Sequence, residues 1–114
     1  MSLVSTVERR DGGIVVVSPV GELDAYVAPE LREELHRLAD DDSVRTLVID
    51  LRRVSFLDSS ALGVLVGALR RIRERSGELR FVEPPPTVRR IFEITQLDRA
   101  FALHPTLDDA LATQ

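Results

Sequence analysis

The densest concentration of groups able to do chemistry is Leu57-Asp58-Ser59-Ser60-Ala61-Leu62-Gly63-Val64-Leu65. An aspartate directly before an apolar-periodic run is a strong helix N-cap. Its carboxylate accepts from backbone N–H groups that the first helical turn leaves without partners. Ser59 and Ser60 then take the first two helical positions, at the positive end of the helix dipole. Hydroxyls placed there have two readings. Both serines can simply extend the cap, or one can accept a phosphoryl group at a place that tolerates added negative charge. A second cluster, Gly21-Glu22-Leu23-Asp24, lies between a strand pattern and a helical pattern, where α/β domains present functional side chains. Leu23 is expected to anchor this loop and leave Glu22 and Asp24 exposed, with Asp24 also serving as cap for the helix that follows.

Other chemistries do not fit. Neither serine sits in a Gly-x-Ser-x-Gly elbow, and the only bases on offer, His36 and His104, are far apart in sequence, with His36 on the polar side of its helix. Asp40-Asp41-Asp42 lacks the ligand spacing and distal glutamate of a calcium loop and reads as a solvated turn. Two isolated histidines and no cysteine do not make a zinc site. All 15 basic residues are arginine, so a phosphate loop with its lysine is excluded. Pro84-Pro85-Pro86 needs no role beyond connecting a strand to a helix. These readings imply no enzyme activity, no cofactor and no metal.

The elements that must position the two clusters follow from periodicity. Leu3 to Val7 alternates apolar and polar residues, Asp11-Gly12-Gly13 is a turn signal, and Ile14 to Val20 reads as a second strand ended by Gly21; together they predict a β-hairpin. Val27, Leu31, Leu35 and Leu38 fall on one helical face, with Pro29 tolerated in its first turn. Thr46 to Leu51 is a nearly continuous apolar run, suited to a central strand covered on both faces. A second helix runs from Asp58 to about Arg75, with Gly77 as its left-handed cap. A strand over Leu79 to Val82, a helix over Thr87 to Ile94, a short strand over Phe101 to Leu103 and a closing helix over Leu107 to Leu111 complete the chain. Strands alternating with helices predict one α/β domain over residues 1–114, with a mixed central sheet of about four to five strands and about four helices.

Within the second helix, Leu62, Leu65, Leu69 and Ile72 form the apolar face, while Ser59, Gly63, Gly67 and Arg70 or Arg71 form another. Each interior glycine costs about 1 kcal/mol relative to alanine, so two in register imply that something approaches that backbone closely. Packing within the domain and docking of a partner both satisfy this. The outward reading is preferred because the four aliphatic residues already supply a buried face.

Composition bounds the partners. The chain has 114 residues, 44% of them hydrophobic, and a formal net charge of −4. This permits a real core and argues against phosphate-backbone binding to nucleic acid. No apolar run approaches the ~20 residues that span a bilayer, and the N-terminus has neither the basic region nor the apolar stretch of a secretory signal. A cytoplasmic location is expected.

Taken together, Val54-Ser55-Phe56-Leu57-Asp58-Ser59-Ser60-Ala61-Leu62-Gly63 and Gly21-Glu22-Leu23-Asp24 resemble the two signatures of the STAS domain of bacterial anti-sigma factor antagonists. The resemblance covers essentially the whole chain, in the same element order; Ala61 stands where a glycine is common. It implies that Ser59, the serine directly after the aspartate, is phosphorylated by a partner that is both anti-sigma factor and serine kinase. It further implies that a PP2C-type phosphatase reverses the modification; with the loop and helix-face readings above, the expected partner-binding surface comprises Glu22, Asp24, Asp58, Ser59, Ser60, Gly63 and Gly67. Two other roles remain open. One is a STAS module of a different assembly, stressosome-like or in lipid transport. The other is a small-ligand or nucleotide-binding module using the Asp24 and Ser59 region.

Overall fold

At Gly13 the backbone takes a φ of +76°, and a Cβ there would stand 2.8 Å from the Ser43 carbonyl oxygen, so both conformation and space demand glycine. The turn it completes joins β1 (Val4–Arg10) to β2 (Ile14–Leu23) as an antiparallel pair with Val7 opposite Val17. The computed structural model describes residues 2–112. After β2 come α1 (Ala28–Ala39), β3 (Thr46–Asp50), β4 (Val54–Leu57), α2 (Ser59–Glu74), β5 (Glu78–Val82) and α3 (Pro86–Ile94). A 3₁₀ turn (Leu97–Arg99), β6 (Ala102–His104) and α4 (Leu107–Ala112) follow.

The sheet order is β1-β2-β3-β5-β6, with β4 paired to β2 off this path; every pairing except β1–β2 is parallel. This is the mixed α/β sheet expected, with six strands in place of four to five. The additional strand is β4. Its two outer residues, Val54 and Leu57, are buried while Ser55 and Phe56 are exposed, so it shows no alternation to read.

Period-two alternation sorts the strands between two layers. Val15, Val17, Leu47, Ile49, Leu79 and Phe81 face a main core closed by α1, α2 and α3. Val16, Val48 and Val82 face the opposite side, where α4 covers them with Ala110, Leu107 and Leu111. Leu47, Val48 and Ile49 are all fully buried, which explains the continuous apolar run of β3. The face of α1 predicted from sequence is the buried one, through Leu31, Leu35 and Leu38, and Leu62, Leu65, Leu69 and Ile72 of α2 likewise pack inward.

Two local expectations are corrected. Gly21 does not end β2. With a φ of +92° it pairs with Val54 where the β2–β4 register shifts past Ser55 of β4, and the strand continues to Leu23. Gly77 is not the left-handed residue closing α2; Ser76 is, at φ 63°. The N–H groups of Ser76 and Gly77 donate to the Arg73 and Ile72 carbonyls at 3.0 and 2.8 Å, the Schellman arrangement. Gly77 is required for room instead, since a Cβ there would lie 2.6 Å from Ile72 Cγ1.

Candidate functional site

Because β2 and β4 run parallel with Leu23 opposite Leu57, the residues that follow them, Asp24 and Asp58, leave the sheet side by side. The Asp58 N–H donates to the Leu23 carbonyl at 3.2 Å, extending the ladder one residue into the loops. Buried Leu23 and Leu57 anchor the two strand ends in the main core. Two signatures with 29 residues between them in sequence are thus one structural unit.

Asp58 holds that unit together with both carboxylate oxygens. Oδ1 accepts from the Ala61 N–H at 3.1 Å, capping α2, and Oδ2 accepts from the Ala25 N–H at 3.0 Å, clamping the opposite loop. Asp24 behaves differently from the expectation. It does not cap α1, whose N-cap is Val27 with no side-chain bond. Its Oδ1 instead accepts from Tyr26 N–H at 3.0 Å and Val27 N–H at 3.3 Å, and its carbonyl accepts from Ala28 N–H at 2.9 Å. It therefore shapes the turn that precedes the helix. Asp24 is half-buried, and Glu22 beside it is exposed as predicted.

Ser59 and Ser60 begin α2 and are both exposed. With Asp58 alone making the cap, neither serine hydroxyl has a hydrogen-bond partner among the described residues. The reading in which both serines extend the cap is therefore not the arrangement adopted. Two hydroxyls stand free at the positive end of a sixteen-residue helix.

The glycine face of α2 points away from the main core. A Cβ on Gly63 would meet nothing within 4 Å, and one on Gly67 would meet only His36 Nε2, at 3.9 Å. Gly67 thus lies over α1, in a groove between the two helices. Ala61, which stands where the resembled signature commonly has a glycine, is fully buried and takes no part in that surface. His36 lies in this groove. Burial above all, then the charges of Arg71 and Arg32, hold its pKa below the ordinary imidazole value against the opposing pull of Asp40. Asp40 is engaged by Arg71 at 2.6 Å, and Asp41 by Ser43 at 2.6 Å. Two surface residues escaped sequence reasoning. Tyr26 is 82% exposed and Phe56 is 44% exposed, next to Asp24 and across from Glu22 respectively. The one available signal was that Tyr26 is the sole tyrosine, two residues beyond Asp24.

No helix among the described residues is long and apolar enough to cross a membrane. The family description "STAS domain" matches residues 6–110. The anti-sigma-B factor antagonist of Listeria monocytogenes serovar 1/2a is 37% identical over 97 residues, covering 85% of this chain and 84% of the relative. A crystal structure of an anti-sigma factor antagonist from Mycobacterium paratuberculosis superposes with a TM-score of 0.82 at 38% identity, covering 96% of this chain and 91% of that one. The Bacillus cell fate determinant SpoIIAA in its phosphorylated form superposes with a TM-score of 0.75 at 26% identity, covering 95% and 96% of the two chains.

Proposed function

The chain belongs to the STAS domain family, and on that premise we propose that it is an anti-sigma factor antagonist switched by phosphorylation of Ser59. The observation that carries the reading is the division of labour at the head of α2. Asp58 satisfies the helix cap and clamps the Ala25 loop, leaving the adjacent serine hydroxyls exposed and unbonded. A hydroxyl so placed can be phosphorylated without breaking any bond the fold depends on. The relatives named as anti-sigma factor antagonists, and the phosphorylated form of SpoIIAA, support the same reading.

In this scheme the unphosphorylated surface formed by Glu22, Asp24, Asp58, Ser59, Ser60, Gly63 and Gly67 binds an anti-sigma factor that is also a serine kinase, and the sigma factor held by that protein is released. The kinase then transfers the γ-phosphoryl group of ATP to Ser59 Oγ; the hydroxyl gives up its proton and ADP leaves. The product carries about −1.5 to −2 charges beside the Asp58 carboxylate. Helix α2 tolerates this, because its N-terminus stabilises negative charge. The interface does not, because docking would strip water from a phosphate without a partner. Turning binding from nearly complete to nearly absent takes about 5.5 kcal/mol of differential affinity, which a desolvated unpaired charge can supply. A PP2C-type phosphatase resets the switch. Residues 1–114 act as one such domain, in the cytoplasm with the transcription machinery and without direct contact to nucleic acid.

Ser59 is favoured over Ser60 by its place in the motif, immediately after Asp58; both hydroxyls are free. Incubation with an anti-sigma serine kinase of the same organism and ATP, followed by peptide mapping, tests the assignment. Label on Ser59, lost in Ser59→Ala and kept in Ser60→Ala, is expected. Label that persists in Ser59→Ala and maps to Ser60 overturns it.

A further inference from the structure

The groove between α1 and α2 is lined by more basic than acidic side chains, on a chain of net negative charge. It encloses about 490 Å³. Its floor is Gly63 and Gly67 of α2, and its walls carry Arg32 and His36 from α1 and Arg70 and Arg71 from α2. Glu74 is the one acid among the lining residues. Arg71 is committed to Asp40 at the far end, through bonds of 3.1 and 2.6 Å. Arg32 and Arg70 are exposed and have no ion-pair partner among the described residues. On a chain of net charge −4, two free guanidinium groups beside Gly63 and Gly67 form a local reversal of sign.

The groove is also continuous with the switch. It opens at Ser60 and Gly63, one residue from Ser59, because the N-termini of α1 and α2 lie side by side, joined through the Asp58–Ala25 bond. The two ends of this continuous surface have opposite signs. Glu22, Asp24 and Asp58 cluster at the loops, and the free arginines line the groove beyond them. A partner seated over Ser59 therefore meets acid on one side and base on the other, which fixes its orientation.

We propose that this groove receives an acidic segment of the same kinase that docks at Ser59, with carboxylates of that segment pairing to Arg32 and Arg70. The proposal rests on the reading of Ser59 as that kinase's docking point and adds the chemistry of the partner's second contact. Guanidinium forks suit carboxylates geometrically, and the bare backbone at Gly63 lets a partner main chain approach closely.

Calorimetric titration of the unphosphorylated chain with the kinase, at low and high salt, tests this. The variants are Arg32→Gln with Arg70→Gln, Arg32→Glu with Arg70→Glu, and Ser59→Asp. Thermal melts establish that each is folded. The neutral pair is expected to bind roughly tenfold more weakly and the reversed pair roughly a hundredfold. The differences should shrink at high salt, and the kinase should show a raised KM for the chain with kcat preserved. Wild-type affinity in both paired variants, with Ser59→Asp defective, overturns the groove inference and leaves the switch intact. A wild-type chain that does not bind the kinase overturns the switch reading and the inference with it. A parallel titration with ATP and with a single-stranded oligonucleotide covers the remaining occupants. Binding of either that is lost in the neutral pair, while kinase affinity is unchanged, reassigns the groove to a phosphate-bearing ligand and overturns the proposal.

Discussion

Replacing Asp58 with alanine removes the bonds to Ala61 N–H and Ala25 N–H together, whereas asparagine keeps one acceptor and loses the other whichever way its amide is turned. Loss of a cap costs about 1 kcal/mol and loss of one further hydrogen bond a similar amount. Urea denaturation should therefore show a graded loss, about 1 kcal/mol for Asp58→Asn and about 2 kcal/mol for Asp58→Ala. Phosphorylation by the kinase should fall in both, because the two loops are no longer held in register. Equal stability of Asp58→Asn and wild type would mean that the Ala25 clamp carries no weight. Asp24→Ala loses two bonds to the Tyr26 and Val27 N–H groups. It should cost about 1 kcal/mol, which a domain stable by 5 kcal/mol or more survives, while kinase affinity drops further than folding does. A variant unfolded at room temperature by circular dichroism would make Asp24 a structural residue only. At this scale the sequence was half legible. A capping aspartate before two serines announces itself by local pattern, but the Asp58–Ala25 bond spans 33 positions and depends on a strand pairing that no local pattern encodes.

Among the elements, the helices were readable because each buries a face repeating every three or four residues, and β2, β3 and β5 because they alternate or are continuously apolar. Strand β4 was not, since four residues with buried ends and an exposed middle give no period. Gly21 was read as a strand end for a related reason: glycine marks irregularity without saying whether pairing resumes. Helix α2 provides the test at this scale. Gly67→Leu adds helix propensity, up to about 1 kcal/mol. Its Cβ would meet only His36 Nε2, at ordinary van der Waals separation. The melting temperature should therefore stay level or rise, while kinase binding weakens because the side chain fills the α1–α2 groove. A lower melting temperature with affinity unchanged would show that the glycine face supports the domain and not the partner.

For the molecule as a whole, acid stability is set in part at the face away from the helices of the main core. Asp50 is 7% exposed and accepts from Arg52 Nη2 at 2.7 Å, Nε at 3.0 Å and N–H at 3.1 Å. Burial pushes its pKa up, but the Arg52 hydrogen bonds and charge outweigh burial and hold it below the ordinary carboxylate value. A carboxylate with a depressed native pKa stabilises the fold above its unfolded pKa, near 4, and loses that contribution as pH falls through the native value. Arg52→Leu should raise the Asp50 pKa and cost about 1–3 kcal/mol at neutral pH, where the buried carboxylate loses most of its partners. The sign then predicts a gap in melting temperature between wild type and variant that is widest at pH 7 and narrows toward pH 4. A gap that widens on acidification would contradict it. The overall α/β plan was legible from the order of patterns along the chain. That two distant signatures meet at the C-terminal ends of β2 and β4, with a basic groove leading away from them, became visible only once the strands were paired.

The central claim is that a phosphate on Ser59 abolishes docking without altering the fold. Chain phosphorylated to completion at Ser59 and chain treated with phosphatase should give closely similar thermal melts and far-ultraviolet circular dichroism, because α2 accommodates the charge at its N-terminus. Their affinities for the anti-sigma kinase, measured side by side by calorimetry, should differ by about four orders of magnitude in favour of the unphosphorylated form. Equal affinity of the two forms, each folded and each binding the kinase, would contradict the account.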